Sequence, residues 1–228
     1  MATSGTTAFN MDFTEIAEEA WERAGSEMRS GYDLRTARRS MNLLTIEWQN
    51  RGINMWTIDS GTVSLTTGTS RYALPADTID LLEQAIRTNS GVTATQSDLN
   101  INRISVSTYS SIPNKLSRGR PIQVWIERLR DIPYINVWPV PDSGDYIFVY
   151  WRMRRVEDAG SGAETADMNF RFLPCLVAGL AHQISMKDPT LAQRTPMLKA
   201  EYEEQFALAA GEDREKTSAR FVPRVARV

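Results

Sequence analysis

The chain has 228 residues, of which 42% are hydrophobic and 24% charged, a composition typical of a globular protein and unlike that of a disordered chain. Its 26 basic and 28 acidic residues give a net charge of −2, which argues against a dedicated nucleic-acid binder, because such binding needs many Lys and Arg side chains at phosphates. The single cysteine excludes an internal disulfide bond, and the longest apolar stretch, residues 170–186, is too polar to span a bilayer. We therefore expect a cytosolic protein with no secretory signal and no membrane segment.

Helical periodicity dominates the first fifty residues. Residues 1–11 are small and polar and predict a flexible N-terminus. Apolar residues three and four positions apart predict a helix over residues 12–24 and a second helix that begins after Asp33 and stops at Gly52. The chain is thus expected to open with an antiparallel helix pair.

The periodicity changes from three-and-four to two at Met55. Apolar alternation up to Leu74, interrupted by turn signals at 59–61 and 66–68, predicts a small antiparallel meander. Residues 77–112 fit a helix or a buried strand equally well, except that 90–100 are expected to form a polar loop. Residues 121–153 predict three more strands, the last of them central because it is apolar on both faces.

A polar crossing loop over residues 155–167 leads to a second helical region. One helix is expected over residues 170–186, apolar nearly all round, and a last helix over 196–216. The fold class is therefore α+β, a terminal-helix bundle with an inserted antiparallel β-rich domain and an extended C-terminal arm. The expected boundaries are a flexible N-terminus at 1–11, a helical bundle at 12–52 and 169–217, a β-rich domain at 53–168 and an arm at 218–228.

The apolar stripes of the helices predict one shared core, because such stripes are stable only when buried. The residues expected to meet there are Leu44, Trp48, Leu176, Leu180, Tyr202 and Phe206.

Chemistry-bearing residues are sparse. Cys175 and His182 share a helix face but lie about 10 Å apart along the helix axis, too far for direct proton transfer. The chain has too few Cys and His residues for a structural zinc site and no glycine-rich phosphate loop. We expect no catalytic, cofactor or metal site, although a hydrolase or lysin-type enzyme built on His182 remains a rival hypothesis.

Basic and aromatic residues are concentrated in residues 113–155, which hold eight basic and four acidic residues, whereas residues 1–30 hold six acidic and two basic residues. Arginine, tryptophan and tyrosine are enriched in protein interfaces, which is the interpretation we favour. The alternative is a module that stacks and clamps single-stranded nucleic acid. The residues expected to make contacts with neighbouring copies or other partners are Arg128, Arg130, Trp138, Arg152 and Arg154.

The last residues, 218–228, combine Phe221, three valines and three arginines with Pro223. Such a segment can neither build a core of its own nor continue the helix, and has the composition of a docking peptide. We expect it to be disordered in the free protein.

Several phrases of this sequence resemble the adaptor proteins of short-tailed bacteriophages, the head-to-tail connectors also called tail tubular protein A. The resemblance covers most of residues 12–217. The phrases are LRTARRSMNLL at 34–44, EWQNRGINMW at 47–56, YALPAD at 72–77, GRP at 119–121, NVWPVP at 136–141, FLPCLVAGLA at 172–181 and the segment 202–216.

The resemblance implies a homo-oligomeric ring, dodecameric in such phages, located in the virion at the head-tail junction. The ring lies between the portal protein and the tail nozzle protein, and genome DNA passes non-specifically through its lumen. The resemblance also implies an arm that reaches the portal. We expect Phe221 and Val222 of this arm to bind in an apolar cleft of the portal. We expect Arg220, Arg224 and Arg227 to lie beside acidic residues there.

Overall fold

The computed structural model describes residues 5–6, 9–53 and 55–213, and within these ranges the fold is α+β. The helices are α1 (Phe13–Ala24), α2 (Gly31–Asn50), α3 (Val106–Ser110), α4 (Leu173–Ser185) and α5 (Thr195–Glu212). The strands are β1 (Ile58–Ser64), β2 (Arg71–Ala73), β3 (Thr78–Thr88), β4 (Ser97–Asn100), β5 (Asn102–Arg103), β6 (Gln123–Glu127), β7 (Tyr134–Trp138) and β8 (Ile147–Arg154). The expected arm at 218–228 lies outside the described residues.

The chain divides into two compact units. The described residues up to 55 and from 156 onward form the helical unit, and residues 56–155 form the β unit. The β unit is therefore an insertion between the second and the fourth helix of the chain.

Local capping sets where the first two helices begin. The Asp12 carboxylate accepts a hydrogen bond from the Glu15 backbone N–H, and the Glu15 carboxylate accepts one from the Asp12 N–H, so α1 begins where the sequence predicts. Helix α2 begins at Gly31, earlier than expected, because Ser30 and Asp33 form a second capping box.

Helix α4 is the centre of the helical unit and packs against α1, α2 and α5. All of its residues except Pro174 and Gln183 are buried, as its apolar sequence predicts. Five of the six residues expected to share a core are fully buried, and the sixth, Phe206, is half-buried with its ring edge against Trp48. The predicted core of the helical unit is confirmed.

The polar segment that follows β8 belongs to the helical unit, whereas the sequence predicts that the β-rich domain extends to residue 168. The backbone N–H groups of Phe13 and Thr14 donate to the carbonyls of Glu164 and Gly162, both at 3.1 Å. A guanidinium N–H of Arg38 donates to the Gly160 carbonyl at 2.8 Å. The segment is thus held by the first two helices, and no periodicity in a polar loop indicates such contacts.

The β unit contains two four-stranded sheets that enclose one apolar core. The first has strand order β1-β8-β3-β4 and is antiparallel; the second has order β2-β7-β6-β5, with only the β5–β6 pair parallel. The first sheet contributes Leu81, Ile86 and Phe148 to the core, and the second contributes Val124 and Ile135. Strand β8 is central, as predicted.

The predicted meander over residues 55–74 is wrong. Strand β1 continues through the expected turn at 59–61 and pairs with β8, while β2 belongs to the other sheet. Gly61 lies opposite Tyr150, and a Cβ atom at residue 61 would be 2.4 Å from the Tyr150 ring. The glycine therefore admits an aromatic ring from the neighbouring strand instead of forming a turn.

The ambiguous region, residues 77–112, forms strands β3, β4 and β5 and the short helix α3. Residues 78–88 form β3, which is long enough to pair with both β8 and β4. The expected loop over residues 90–100 is correct only in its first part, because Ser97–Asn100 forms β4 at the edge of the sheet. All four residues of β4 are exposed, so no apolar alternation marks it in the sequence.

Candidate interaction surfaces

The two residues with catalytic potential lie in the core of the helical unit. Cys175 is buried, and burial raises the pKa of its thiol to about 12, so it stays protonated near neutral pH. His182 is stacked on Tyr202, and burial, followed by the charge of Lys199, lowers its pKa. Both side chains serve packing in this arrangement.

The described residues contain neither a group of metal ligands nor a membrane-spanning helix. Among these residues, no three His, Cys, Asp or Glu side chains are grouped so that they could hold a metal ion. The helices that the structure describes include none with the length and apolarity needed to cross a bilayer.

Arg152, on β8, connects β1 with the segment that leads into β3. Its guanidinium donates to the Asp59 carboxylate at 2.7 and 3.1 Å and to the Asp77 carboxylate at 2.6 Å. The hydrogen bond from Arg152 lowers the pKa of Asp77. Only 11% of the Arg152 side chain is exposed, so its role is to hold Asp59 and Asp77 in place inside the β unit.

Arg128 belongs to a second ionic cluster, which joins the two sheets. Asp80 on β3 accepts hydrogen bonds from Arg103 on β5, at 2.9 Å, and from Arg128, which follows β6. Because Asp80 pairs with Met153, next to Arg152, the two ionic clusters lie at the same end of the β unit. We name this end the arginine-aspartate edge; its members are Asp59, Asp77, Asp80, Arg103, Arg128 and Arg152.

The remaining predicted contact residues are spread over the β unit. Arg130 is the most accessible, with 97% of its side chain exposed. Trp138 is half-buried at the opposite end of β7, and its indole N–H donates to the Asn114 carbonyl at 3.1 Å. Arg154, on β8, pairs with Thr78 at the edge defined above and donates to the Arg155 carbonyl. The structure thus brings Arg128, Arg152 and Arg154 to one end and places Trp138 at the other.

The aromatic faces that could stack on bases are partly covered. Tyr109 stacks on Trp125 with ring centroids 5.1 Å apart, and the Arg71 guanidinium lies 3.6 Å from the centre of the Tyr134 ring. An aromatic ring with a face already covered offers less stacking surface to a nucleotide. This geometry favours the interface interpretation of the Arg and aromatic strands over the nucleic-acid module.

Sequence reasoning missed the acidic half of the edge. The sequence predicts a turn at Asp59 and indicates no role for Asp77, Asp80 or Arg103. The arginine partners of Asp59 and Asp77 lie 93 and 75 positions away, and those of Asp80 lie 23 and 48 positions away, so no local spacing signals them. The five arm residues, Arg220, Phe221, Val222, Arg224 and Arg227, lie outside the described residues.

Comparison with known proteins identifies the class of this molecule. A single family model spans residues 11–227, which includes both units, and the class it defines is a structural adaptor of bacteriophages. That family is the SU10 adaptor protein family, and the chain belongs to it. No curated protein matches the chain.

Family membership confirms the resemblance to phage head-tail adaptors. It makes this chain a structural component of the virion that interacts with other head and tail proteins of the phage.

Proposed function

We propose that this adaptor forms a ring between the portal and the tail nozzle and that genome DNA passes through the ring. The observation that carries the proposal is the family match over residues 11–227, nearly the whole chain. The charge balance supports it, because 26 basic residues against 28 acidic ones avoid the strong phosphate binding that would stall a sliding duplex. A dodecamer, as the resemblance implies, is the copy number we propose.

Within this proposal, exposed basic residues of the β unit contact neighbouring copies or the nozzle. Arg128 and Arg130 carry most of this role, because their side chains are 57% and 97% exposed. Trp138 and Arg154 contribute at opposite ends of the β unit. Arg152 acts indirectly, since its ion pairs with Asp59 and Asp77 hold the strands that present the edge.

The arm, residues 218–228, docks on the portal in this proposal. Its composition supports this role: Phe221 and Val222 suit an apolar cleft, and the three arginines suit acidic residues beside it. Folding and docking then use different residues. Deleting residues 219–228 should leave the melting temperature nearly unchanged and abolish portal binding, whereas binding as tight as that of the full chain would contradict the arm's role.

Association of the purified protein with portal rings tests the proposal as a whole. Sedimentation velocity should show that the full chain binds the portal. Binding should weaken as the salt concentration rises, because salt screens the attraction between exposed opposite charges, with a screening length of about 10 Å at 0.1 M. Replacing Arg128→Glu and Arg130→Glu together should weaken assembly further. Assembly indifferent to both salt and these substitutions would contradict the role given to the basic residues, and no association at all would contradict the proposal.

A further inference from the structure

Helix α2 carries an exposed stripe opposite its buried side. Its members are three or four positions apart, so they lie in one line along the helix. Tyr32 and Leu43 are each 63% exposed, and Ile46, one turn from Leu43, is 54% exposed; neighbouring exposed apolar side chains are typical of an interaction surface. We name this line the α2 stripe; it consists of Tyr32, Arg35, Arg39, Leu43 and Ile46.

The charges of the α2 stripe are uncompensated. In the part of the chain that the structure describes, neither Arg35 nor Arg39 forms an ion pair; Arg39 donates only to the Thr36 hydroxyl of its own helix, at 3.3 Å. The stripe also borders a pocket of about 650 Å³, which Trp21 and Pro189 help to line. Asp33, Lys187 and Asp188 line the same pocket. This surface therefore combines arginines without an ion pair, exposed apolar side chains and a concave site.

Helix α5 carries a matching stripe of opposite charge. Its core side holds Leu198, Tyr202 and Ala209, yet Met197 and Leu208 are 56% and 63% exposed on the other side. Glu204 lies between them and, within the described residues, has no cationic partner, unlike Glu201 and Glu203, which pair with Arg23 and Arg51. We name this line the α5 stripe; it consists of Met197, Ala200, Glu204 and Leu208.

We propose that the α2 stripe of one copy packs against the α5 stripe of the next copy, with Arg39 facing Glu204 and Leu208 entering the pocket beside Leu43. This inference rests on the proposed ring and assigns its subunit interface in the helical unit. Unpaired charges of opposite sign and exposed apolar residues are complementary at such a helix-to-helix contact.

Two different stripes on one unit imply head-to-tail association. A two-fold dimer would use one patch twice, whereas each copy here offers α2 to one neighbour and α5 to another, the geometry that closes into a ring when the rotation permits. Helix α1 also exposes acids, Glu18 and Glu22, but its described residues include no large exposed apolar side chain, so α5 is the better occupant.

Charge exchange tests the pairing in the full-length protein. Arg39→Glu and Glu204→Arg should each weaken self-association about tenfold or more, because each places like charges face to face. An equal mixture of the two variants should restore self-association, because a ring in which the two variants alternate places opposite charges at every interface. Sedimentation velocity, alone and with portal, measures both effects, and a mixture no better than its components would overturn the pairing.

The apolar contact has a matched control. Leu43→Asp and Leu208→Asp should abolish assembly with unchanged melting temperature, because both side chains are exposed in the single copy. Leu116→Asp, at a side chain 82% exposed in the β unit, should assemble normally. If both stripe variants assemble like the unsubstituted protein, the stripe interface is wrong while the ring proposal stands; if the unsubstituted protein never associates, the ring proposal itself fails.

Covalent trapping gives an independent measurement that does not depend on weakening the fold. A chain with Leu43→Cys and Leu208→Cys should form a ladder of disulfide-linked multimers under oxidation, because Cys175 is buried and does not compete. The pair Leu116→Cys and Leu208→Cys should give no ladder. A ladder absent from the first pair in assembled protein would overturn the proposed contact.

Discussion

The indole N–H of Trp48 donates a hydrogen bond of 3.0 Å to the phenolic oxygen of Tyr202, 154 positions further along the chain. This buried hydrogen bond joins α2 to α5, two helices that the β unit separates in the sequence. The Tyr202 hydroxyl in turn donates to Glu47 at 3.3 Å.

Tyr202→Phe should lower the free energy of unfolding by about 1–3 kcal/mol, because it leaves the buried Trp48 donor without an acceptor. Urea denaturation measures this change. Tyr32→Phe, at an exposed position of the same unit, is the control and should change stability by less than about 0.5 kcal/mol. Equal effects from the two substitutions would show that the buried hydrogen bond contributes nothing.

A pair of glycines tests the packing of α4. A Cβ atom at Gly179 would lie 2.8 Å from Leu44 Cδ2 and 2.9 Å from Tyr202 Cε2, so Gly179→Ala should destabilise the protein by about 1–3 kcal/mol despite the better helix propensity of alanine. At Gly211, nothing lies within 4 Å of a Cβ atom, so Gly211→Ala should leave stability unchanged or raise it by up to about 1 kcal/mol. Thermal melting of both variants distinguishes the two positions, and a Gly179→Ala protein as stable as the original would refute the close packing.

Leu180→Ala probes the core of the helical unit. Leu180 is fully buried, and its truncation should cost about 2–5 kcal/mol of unfolding free energy. Leu208→Ala, at an exposed position of α5, should cost less than about 0.5 kcal/mol in the same denaturant experiment. A loss well under 1 kcal/mol at Leu180 would contradict the assigned core.

The ion pair between Arg152 and Asp77 predicts a pH dependence. The hydrogen bond from Arg152 lowers the Asp77 pKa below its ordinary 3.8, so the pair stabilises the folded state above that value and stops doing so as pH falls through the lowered pKa. The deficit of Asp77→Asn relative to the original chain should thus be largest near neutral pH and shrink as the pH falls below 3.8. Unfolding free energies across this range measure it.

Ser60→Ala serves as the control for this titration. Ser60 is exposed on β1 and does not ionise in this range, so its substitution should have the same effect at every pH. An Asp77→Asn deficit that stays constant on acidification would show that the charge of Asp77 adds no stability.

Elements governed by neighbouring residues could be predicted from the sequence. The start and end of α1 follow from the capping box at Asp12 and from Gly25, whose φ of 97° suits a glycine at a helix end. The burial of α4 and the central position of β8 follow from side chains that are apolar on every face. In each case the pattern lies within one element, so no knowledge of its partners is needed.

Features that depend on distant partners could not be predicted. Gly61 follows two polar residues and has the local sequence of a turn, but its pairing with Tyr150 decides its conformation. The ion pairs of Asp80 also depend on distant residues, because one arginine partner lies in the other sheet and the second lies just after strand β6 of that sheet. Long-range pairing leaves no mark in the spacing of the residues beside it.

Electron microscopy of the purified full-length chain bound to portal rings tests the central claim most directly. We expect a closed ring of identical copies coaxial with the portal, with a central channel wide enough for duplex DNA. Adaptor density that is a single copy, a two-fold dimer or off the portal axis would contradict the account.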